Sequence, residues 1–248
     1  MLSNLDGLEG LTTIGGKLIL ESNLSMVNLQ GLESLTSVHG LVLRNNYALT
    51  TLTGINNLSS IQASLSIILN PMLEDLTGLE SLTSLSGGLT IYFNGELTNI
   101  SALAGLSDLA LSSLTIGNNW LLSNLHGLEG LDSVIYSMEI SGNHSLVDLD
   151  GLNNLDYVGY DLKIDFNMAL SSLIGLENLS TTGDLTIFDN DALTHTDGLT
   201  SLNSINGEFW LVNNDELTEI NSLITVKSLG GKLRIVGNTH LLSLNGLD

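Results

Sequence analysis

The stretch Gly87-Gly88-Leu89-Thr90-Ile91-Tyr92-Phe93-Asn94 decides how this chain folds. Leu89 and Ile91 are apolar and two apart, so in an extended strand both point to one side while Thr90 points to the other. The glycines before them and the asparagine after them read as turns. The block recurs along the whole chain. Leu-x-Ile, or a conservative variant of it, begins at Leu18, Leu41, Leu65, Leu89, Leu114, Met138, Leu162, Leu185, Phe209 and Leu233, at steps of 23 to 25 residues. Five residues after each start stands an asparagine: Asn23, Asn46, Asn70, Asn94, Asn119, Asn143, Asn167, Asn190, Asn214 and Asn238.

The remainder of the unit keeps the same register. An apolar residue follows three places after each asparagine, and then most coils carry Gly-Leu or Gly-Ile, as at Gly78-Leu79 and Gly151-Leu152. Ala102-Leu103 and Ser222-Leu223 replace this step in the fourth and ninth coils. No unit contains ten residues at helical spacing, so the repeat predicts short strands and turns rather than helices. A fixed period of this length marks a solenoid, in which one coil buries its apolar face only against the next. The expected architecture is an all-β, right-handed β-solenoid (β-helix) of about ten coils, one unit over residues 1–248, forming a rod roughly 45–50 Å long at ~4.8 Å per coil. An inward amide is expensive unless hydrogen-bonded. The ten asparagines are therefore expected to form an internal ladder, each bonding turn backbone of its own and the neighbouring coil.

Composition narrows the function. With 6 Lys and Arg against 27 Asp and Glu, the formal charge is −21, which disfavours nucleic acid and anionic membranes as partners. Cysteine is absent, which removes disulfide frameworks and thiolate sites. No apolar run approaches the length of a membrane span, and Met1-Leu-Ser-Asn-Leu-Asp6 lacks the basic and apolar regions of a signal peptide. The last residues, Asn245-Gly-Leu-Asp248, fall partway through a coil. These features, with the strong acidity, are read as a secreted or surface-exposed segment of a longer protein. Neither end carries a polar cap, so end-to-end or edge self-association is expected unless flanking sequence covers them.

Units such as Gly87-Gly88-Leu89-Thr90-Ile91-x-x-Asn94 and Gly183-Asp184-Leu185-Thr186-Ile187-x-x-Asn190 resemble the receptor L domain, the right-handed β-helix of insulin and epidermal growth factor receptor ectodomains, in its repeat-extended surface-protein form. The chain is also similar to leucine-rich repeats, whose LxLxxN core it shares. The Gly-rich turn ahead of most strands and the second Leu-x-Gly-Leu arc favour the L-domain side. The resemblance spans the whole chain and implies recognition at a cell surface without naming a partner. The absence of cysteine, and of any cysteine-rich module, departs from the receptors.

Outward positions of the Leu-x-Ile strand vary, and two apolar clusters occupy them: Ile68, Leu69, Tyr92 and Phe93, and Phe166, Phe188, Trp210, Val212 and Val236. Aromatics make up only 4% of the chain, so their concentration on one face marks Ile68, Tyr92, Phe93, Phe166, Phe188 and Trp210 as candidate ligand-binding residues. Shielding of the sheet, or packing against a neighbouring domain, explains the same rings. Asp161, Asp184 and Glu208 form an acidic column before the strand, with Asp165, Asp189 and Asp215 nearby and Lys163 and Lys232 as candidate counter-charges. Oxygen-rich clusters suit calcium, so the column is a weak candidate for that ion, and a solvated acidic edge is the simpler reading. No other metal and no cofactor is expected.

A hydroxyl-rich column (Ser37, Ser60, Ser84, Ser133, Thr181, Ser204, Ser228) is broken by Asp108 and Tyr157, whereas ice binding requires a regular, mostly threonine array. The Asn-x-Ser sequons at Asn23, Asn57, Asn99, Asn143 and Asn178 are incidental to an Asn- and Ser-rich repeat. The five histidines fall at five different registers, and no catalytic triad, His pair or phosphate loop is visible. The expectation is a non-catalytic recognition or adhesion module, extracellular or at the cell surface, binding protein or glycan. An ice-binding solenoid is one alternative. The other is a polysaccharide-active β-helix enzyme using Asp161, Asp165, Asp184, Asp189 and Lys163.

Overall fold

The computed structural model describes residues 2–247, and within them the chain is a parallel β-solenoid. The ten Leu-x-Ile blocks lie in the strands Thr13–Glu21, Ser37–Arg44, Leu65–Ile68, Leu89–Tyr92, Leu114–Gly117, Met138–Ser141, Tyr157–Asp165, Thr181–Phe188, Phe209–Val212 and Leu233–Val236. Each pairs in parallel with the next at one-coil offset: Leu65 faces Leu89, Leu89 faces Leu114, and Leu185 faces Phe209. Ten strands enclose nine full turns, one fewer than the ten coils expected from counting blocks. A second, shorter row of strands (Ser60–Ile61, Ser84–Leu85, Leu109–Leu111, Leu131–Val134, Ser204–Ile205, Ser228–Leu229) covers the arc before each block. In four coils the two rows fuse into one bent strand.

The two-residue alternation sets the core. Leu65 and Ile67 are buried with Ser66 half-exposed between them, and Leu89, Thr90 and Ile91 repeat that pattern. With the leucines of the other arcs they build one apolar column from Leu5 to Leu223. Among the described residues only Phe209 places a ring in it. The column is open at the last coil, where Leu229 and Leu233 are exposed.

Two turns close each coil. At Gly78 the backbone takes φ +117°, and an added Cβ would collide with the Leu52 carbonyl oxygen of the preceding coil; only glycine meets both demands. The coils that carry Ala102 and Ser222 instead make 3-10 turns, Ser101–Leu103 and Asn221–Thr225. The second turn belongs to the asparagines. Asn119 donates from Nδ2 to the Ile91 carbonyl of the preceding coil at 2.9 Å, while its Oδ1 accepts the Asn94 backbone N–H at 3.1 Å. Asn70, Asn94, Asn143, Asn167, Asn190 and Asn214 repeat both bonds. The file runs from Asn23 to Asn238 through direct amide contacts, such as Asn94 Nδ2 to Asn119 Oδ1 at 3.2 Å.

A near-isosteric Asn119→Leu would leave the buried Asn94 N–H without its acceptor and remove the side-chain donor from the Ile91 carbonyl. It is expected to lower stability by about 3 kcal/mol or more. Asn23→Leu, at the half-buried first position, is expected to lower it by about 1 kcal/mol or less. Urea unfolding of the two variants measures the contrast.

Candidate recognition face

Immediately before each ladder asparagine the chain turns left-handed, in all ten coils. Ser22, Asn45, Leu69, Phe93, Asn118, Phe166, Asp189 and Asn213 have φ between 50 and 60°, and Gly142 and Gly237 have 67 and 72°. Asn, Asp and Gly tolerate this region, whereas bulky residues are strained in it. Leu69, Phe93 and Phe166 are therefore strained, and they are also exposed. The turn throws these three side chains outward beside the strand residues Ile68, Tyr92 and Phe188.

The structure brings the six proposed binding residues into two separate clusters. On the third and fourth coils, Ile68 faces Tyr92 across the sheet, and Tyr92 meets Phe93 edge-on at 4.6 Å between centroids. On the seventh to tenth coils, Phe166 meets Phe188 edge-on at 5.1 Å. Trp210 stands beside them with its Nε1 donating to Glu208 at 2.8 Å and the Arg234 guanidinium 4.8 Å over its ring. Between the clusters the same strand position holds Gly117 and Ser141, so the face is low there. Tyr92 lies across Gly117, where a Cβ would strike its ring. Val212, grouped by sequence with the exposed apolar residues, is buried instead.

Phe166, Phe188, Trp210, Val212, Thr186, Lys163, Asp165 and Arg234 line a groove of about 510 Å³, within the range of ligand-sized clefts. Asp165 corrects an expectation. It occupies an outward strand position and reads as part of a solvated acidic edge, yet its side chain is 1% exposed. Lys163 Nζ reaches its Oδ2 at 2.8 Å, and Glu139 Oε1 at 3.3 Å. The first contact has ion-pair distance without hydrogen-bond alignment, and Oδ1 has no donor at all. Burial opposes the Lys163 charge, but Asp165 and Glu139 outweigh it and hold the ammonium above the ordinary lysine range.

The acidic column divides into separate contacts. Asp161 and Asp184 are register neighbours. Asp184 Oδ1 accepts the Glu208 backbone N–H at 2.6 Å, and Ser137 donates to Asp161. The Trp210 N–H, and after it Lys232, hold the Glu208 carboxyl below its usual range. Among the described residues no three acidic or histidine side chains converge on a point that could hold a metal ion. The calcium candidate Asp161, Asp184 and Glu208 therefore lacks a common coordination centre.

The hydroxyl column comes into register as Ser37, Ser60, Ser84 and again as Ser133, Tyr157, Thr181, Ser204, Ser228. Asp108, itself left-handed at φ 48°, separates the two runs. Three residues that sequence reading passed over join Tyr157 at this corner: Ile135, Tyr136 and Tyr160 are exposed, with the Tyr136 and Tyr160 rings 5.8 Å apart. The signal was present. Both tyrosines stand two residues before a Leu-x-Ile start, where most coils carry Gly, Ala or Ser.

Comparison with known proteins found no match among family models, curated protein sequences or solved structures.

Because Lys163 is the one cation paired with the buried Asp165 charge among the described residues, Lys163→Met is expected to destabilise the protein by about 2 kcal/mol at neutral pH. Lys163→Met combined with Asp165→Asn should recover most of that loss, as denaturant midpoints of both variants will show. The pH dependence has a definite sign. The raised Lys163 group contributes stability that is whole below the ordinary lysine pKa and lost as pH rises through its folded value. Alkaline melting of the wild type above about pH 10 should show that loss, and Lys163→Met should lack it.

Proposed function

We propose that the protein is a non-catalytic recognition or adhesion module, extracellular or at the cell surface, that holds a protein or glycan against the outward face of its main sheet. One observation carries this reading. A left-handed backbone costs a bulky residue about 1–2 kcal/mol, and seven of the ten coils avoid most of that with Asn, Asp, Ser or Gly. Leu69, Phe93 and Phe166 accept the strain outside the apolar column, with 36 to 43% of their surface exposed. Their effect is to extend the two aromatic clusters into solvent, and strained backbone of this kind gathers at ligand clamps. Exposed aromatic groups on a rigid element supply contact area at small entropic cost.

The resemblance to receptor L domains supports the same reading, since it implies recognition through a solenoid surface. The acidity supports a partner other than nucleic acid.

Replacing Tyr92, Phe188 and Trp210 together with Ser is expected to abolish capture on glycan arrays and on arrays of surface proteins, with the melting temperature unchanged within a few degrees. Retained capture by the triple variant overturns the assignment of the face. Leu69→Asn is expected to raise stability by up to about 1 kcal/mol while weakening any ligand held by the first cluster. Thermal unfolding beside a binding titration separates the two effects.

A further inference from the structure

Successive strand positions on the seventh to tenth coils differ in charge in a consistent order. The residue between the two core positions is Lys163, Thr186, Trp210 and Arg234 from coil to coil. Two places on come Asp165, Phe188 and Val212, then Phe166, Asp189 and Asn213 at the left-handed turn, and then Met168, Asp191 and Asp215 beyond the ladder asparagine. From the Lys163–Arg234 position the face thus runs across aromatic rings to carboxylates, and on its other side it meets the acidic column Asp161, Asp184 and Glu208. The carboxylate end is a separate lobe of about 460 Å³ formed by Phe166, Met168, Asp189, Asp191, Asn213 and Asp215. Phe166 is the wall it shares with the groove.

The two ends are neutralised differently. At the cationic end each charge has a partner: Lys163 has Asp165 and Glu139, Lys232 has Glu208, and Arg234 lies on Trp210. In the lobe, Asp189, Asp191 and Asp215 form no ion pair with any described cationic side chain. Asp191 and Asp215 share one register on adjacent coils, about 4.8 Å apart, where like charges repel. Between lobe and cations lies Asp165, 1% exposed, with Oδ1 lacking a donor. A buried carboxylate oxygen left in that state is destabilising until a donor reaches it. Lys163 is shared between two carboxylates and reaches Asp165 at Oδ2, which leaves Oδ1 available to a donor from outside the chain.

We propose that groove and lobe together take an amphipathic organic cation. Its apolar body lies on Phe166, Phe188 and Trp210, its cationic head enters the Asp189–Asp191–Asp215 lobe, and an N–H of the ligand completes Asp165 as Lys163 swings toward Glu139. This rests on the reading of the sheet face as a recognition surface. The pairing of charges sets the orientation: the lobe carboxylates have no ion-pair partner among the described residues, whereas Glu139, Asp165 and Glu208 beside Lys163 and Lys232 already have one. The lobe carboxylates also exclude anionic ligands from the lobe. The same chemistry is carried by a free arylalkylamine and by neighbouring apolar and basic side chains of a polypeptide.

The test uses the intact chain in a Trp120→Phe background, which leaves Trp210 as the only tryptophan. Three probes are titrated against its fluorescence: phenethylamine, a dodecapeptide of alternating Leu and Lys, and one of alternating Gly and Lys. A neutral oligosaccharide, maltoheptaose, is the fourth. The Leu-Lys peptide or the amine should shift Trp210 emission, and whichever binds more tightly identifies the source. Asp191→Asn with Asp215→Asn should weaken binding about tenfold and flatten its salt dependence. Phe188→Ala should weaken it further, while Tyr92→Ser on the distant cluster changes nothing. Equal affinity for the Gly-Lys peptide, insensitive to Phe188→Ala, would mean bulk attraction to an acidic protein and overturns the site. Binding of maltoheptaose alone overturns the cation while leaving the face a recognition surface. No response to any probe, with capture on arrays intact, likewise removes this site and leaves the broader function standing.

Discussion

The fold depends on a hydrogen bond that each coil makes to the next: the backbone N–H of one ladder asparagine to the side-chain oxygen of its successor. Nine such bonds run in one direction from Asn23 to Asn214, at 2.9 to 3.2 Å. The amide nitrogen answers in the opposite direction, donating to a strand carbonyl one coil back, as Asn143 does to Ile116 at 2.9 Å. Leucines alone would drive collapse without choosing a register, because apolar burial is non-directional. A slip by one residue would turn every outward side chain into the core, and would also withdraw the amide from both carbonyl and N–H. The asparagine therefore converts a general attraction between coils into one alignment.

That alignment explains where variation is allowed. Inward positions must be Leu, Ile or near relatives because each touches the same position one coil above and below. The Gly turn must clear a carbonyl of the preceding coil. The outward strand positions and the left-handed residue before the asparagine lie outside the apolar column, so their chemistry can change from coil to coil without disturbing the stack. The chain uses this freedom unevenly. Gly117 and Ser141 leave the middle of the face low, and the aromatics stand to either side.

Much of this was legible in the sequence because it is periodic. The Leu-x-Ile alternation, the asparagine file and the step length together specify a solenoid, and Ala102 and Ser222 marked the two coils whose turns depart from the rest. Counting blocks overstated the turns by one, since ten strands bound nine intervals. The left-handed column was invisible because its occupants share no residue type: Ser22, Phe93 and Gly142 have a common φ sign and nothing else. Tyr136 and Tyr160 were overlooked for a related reason, in that a column of small residues drew no attention to its exceptions. The burial of Asp165 could not be read at all. An aspartate at an outward strand position is ordinarily solvated, and its 1% exposure depends on the neighbouring groove residues, a three-dimensional arrangement that spacing does not encode.

A solenoid has no natural cleft, since each coil repeats the cross-section of the last. Relief on such a surface has to be made by side chains alone, and side chains on a uniform sheet stand at similar heights. The left-handed turn solves this by lifting a residue off the end of the strand, so that Phe166 lines a groove together with Phe188, Trp210 and the buried Asp165 and Val212. Trp210 in turn is fixed from two directions, by Glu208 at its N–H and by Arg234 over its ring. Restrained rotamers on a rigid scaffold lose little entropy when a ligand arrives. Strain in the backbone and restraint of the rings thus serve one end. They give a featureless fold a concave, pre-organised surface at one position along its length.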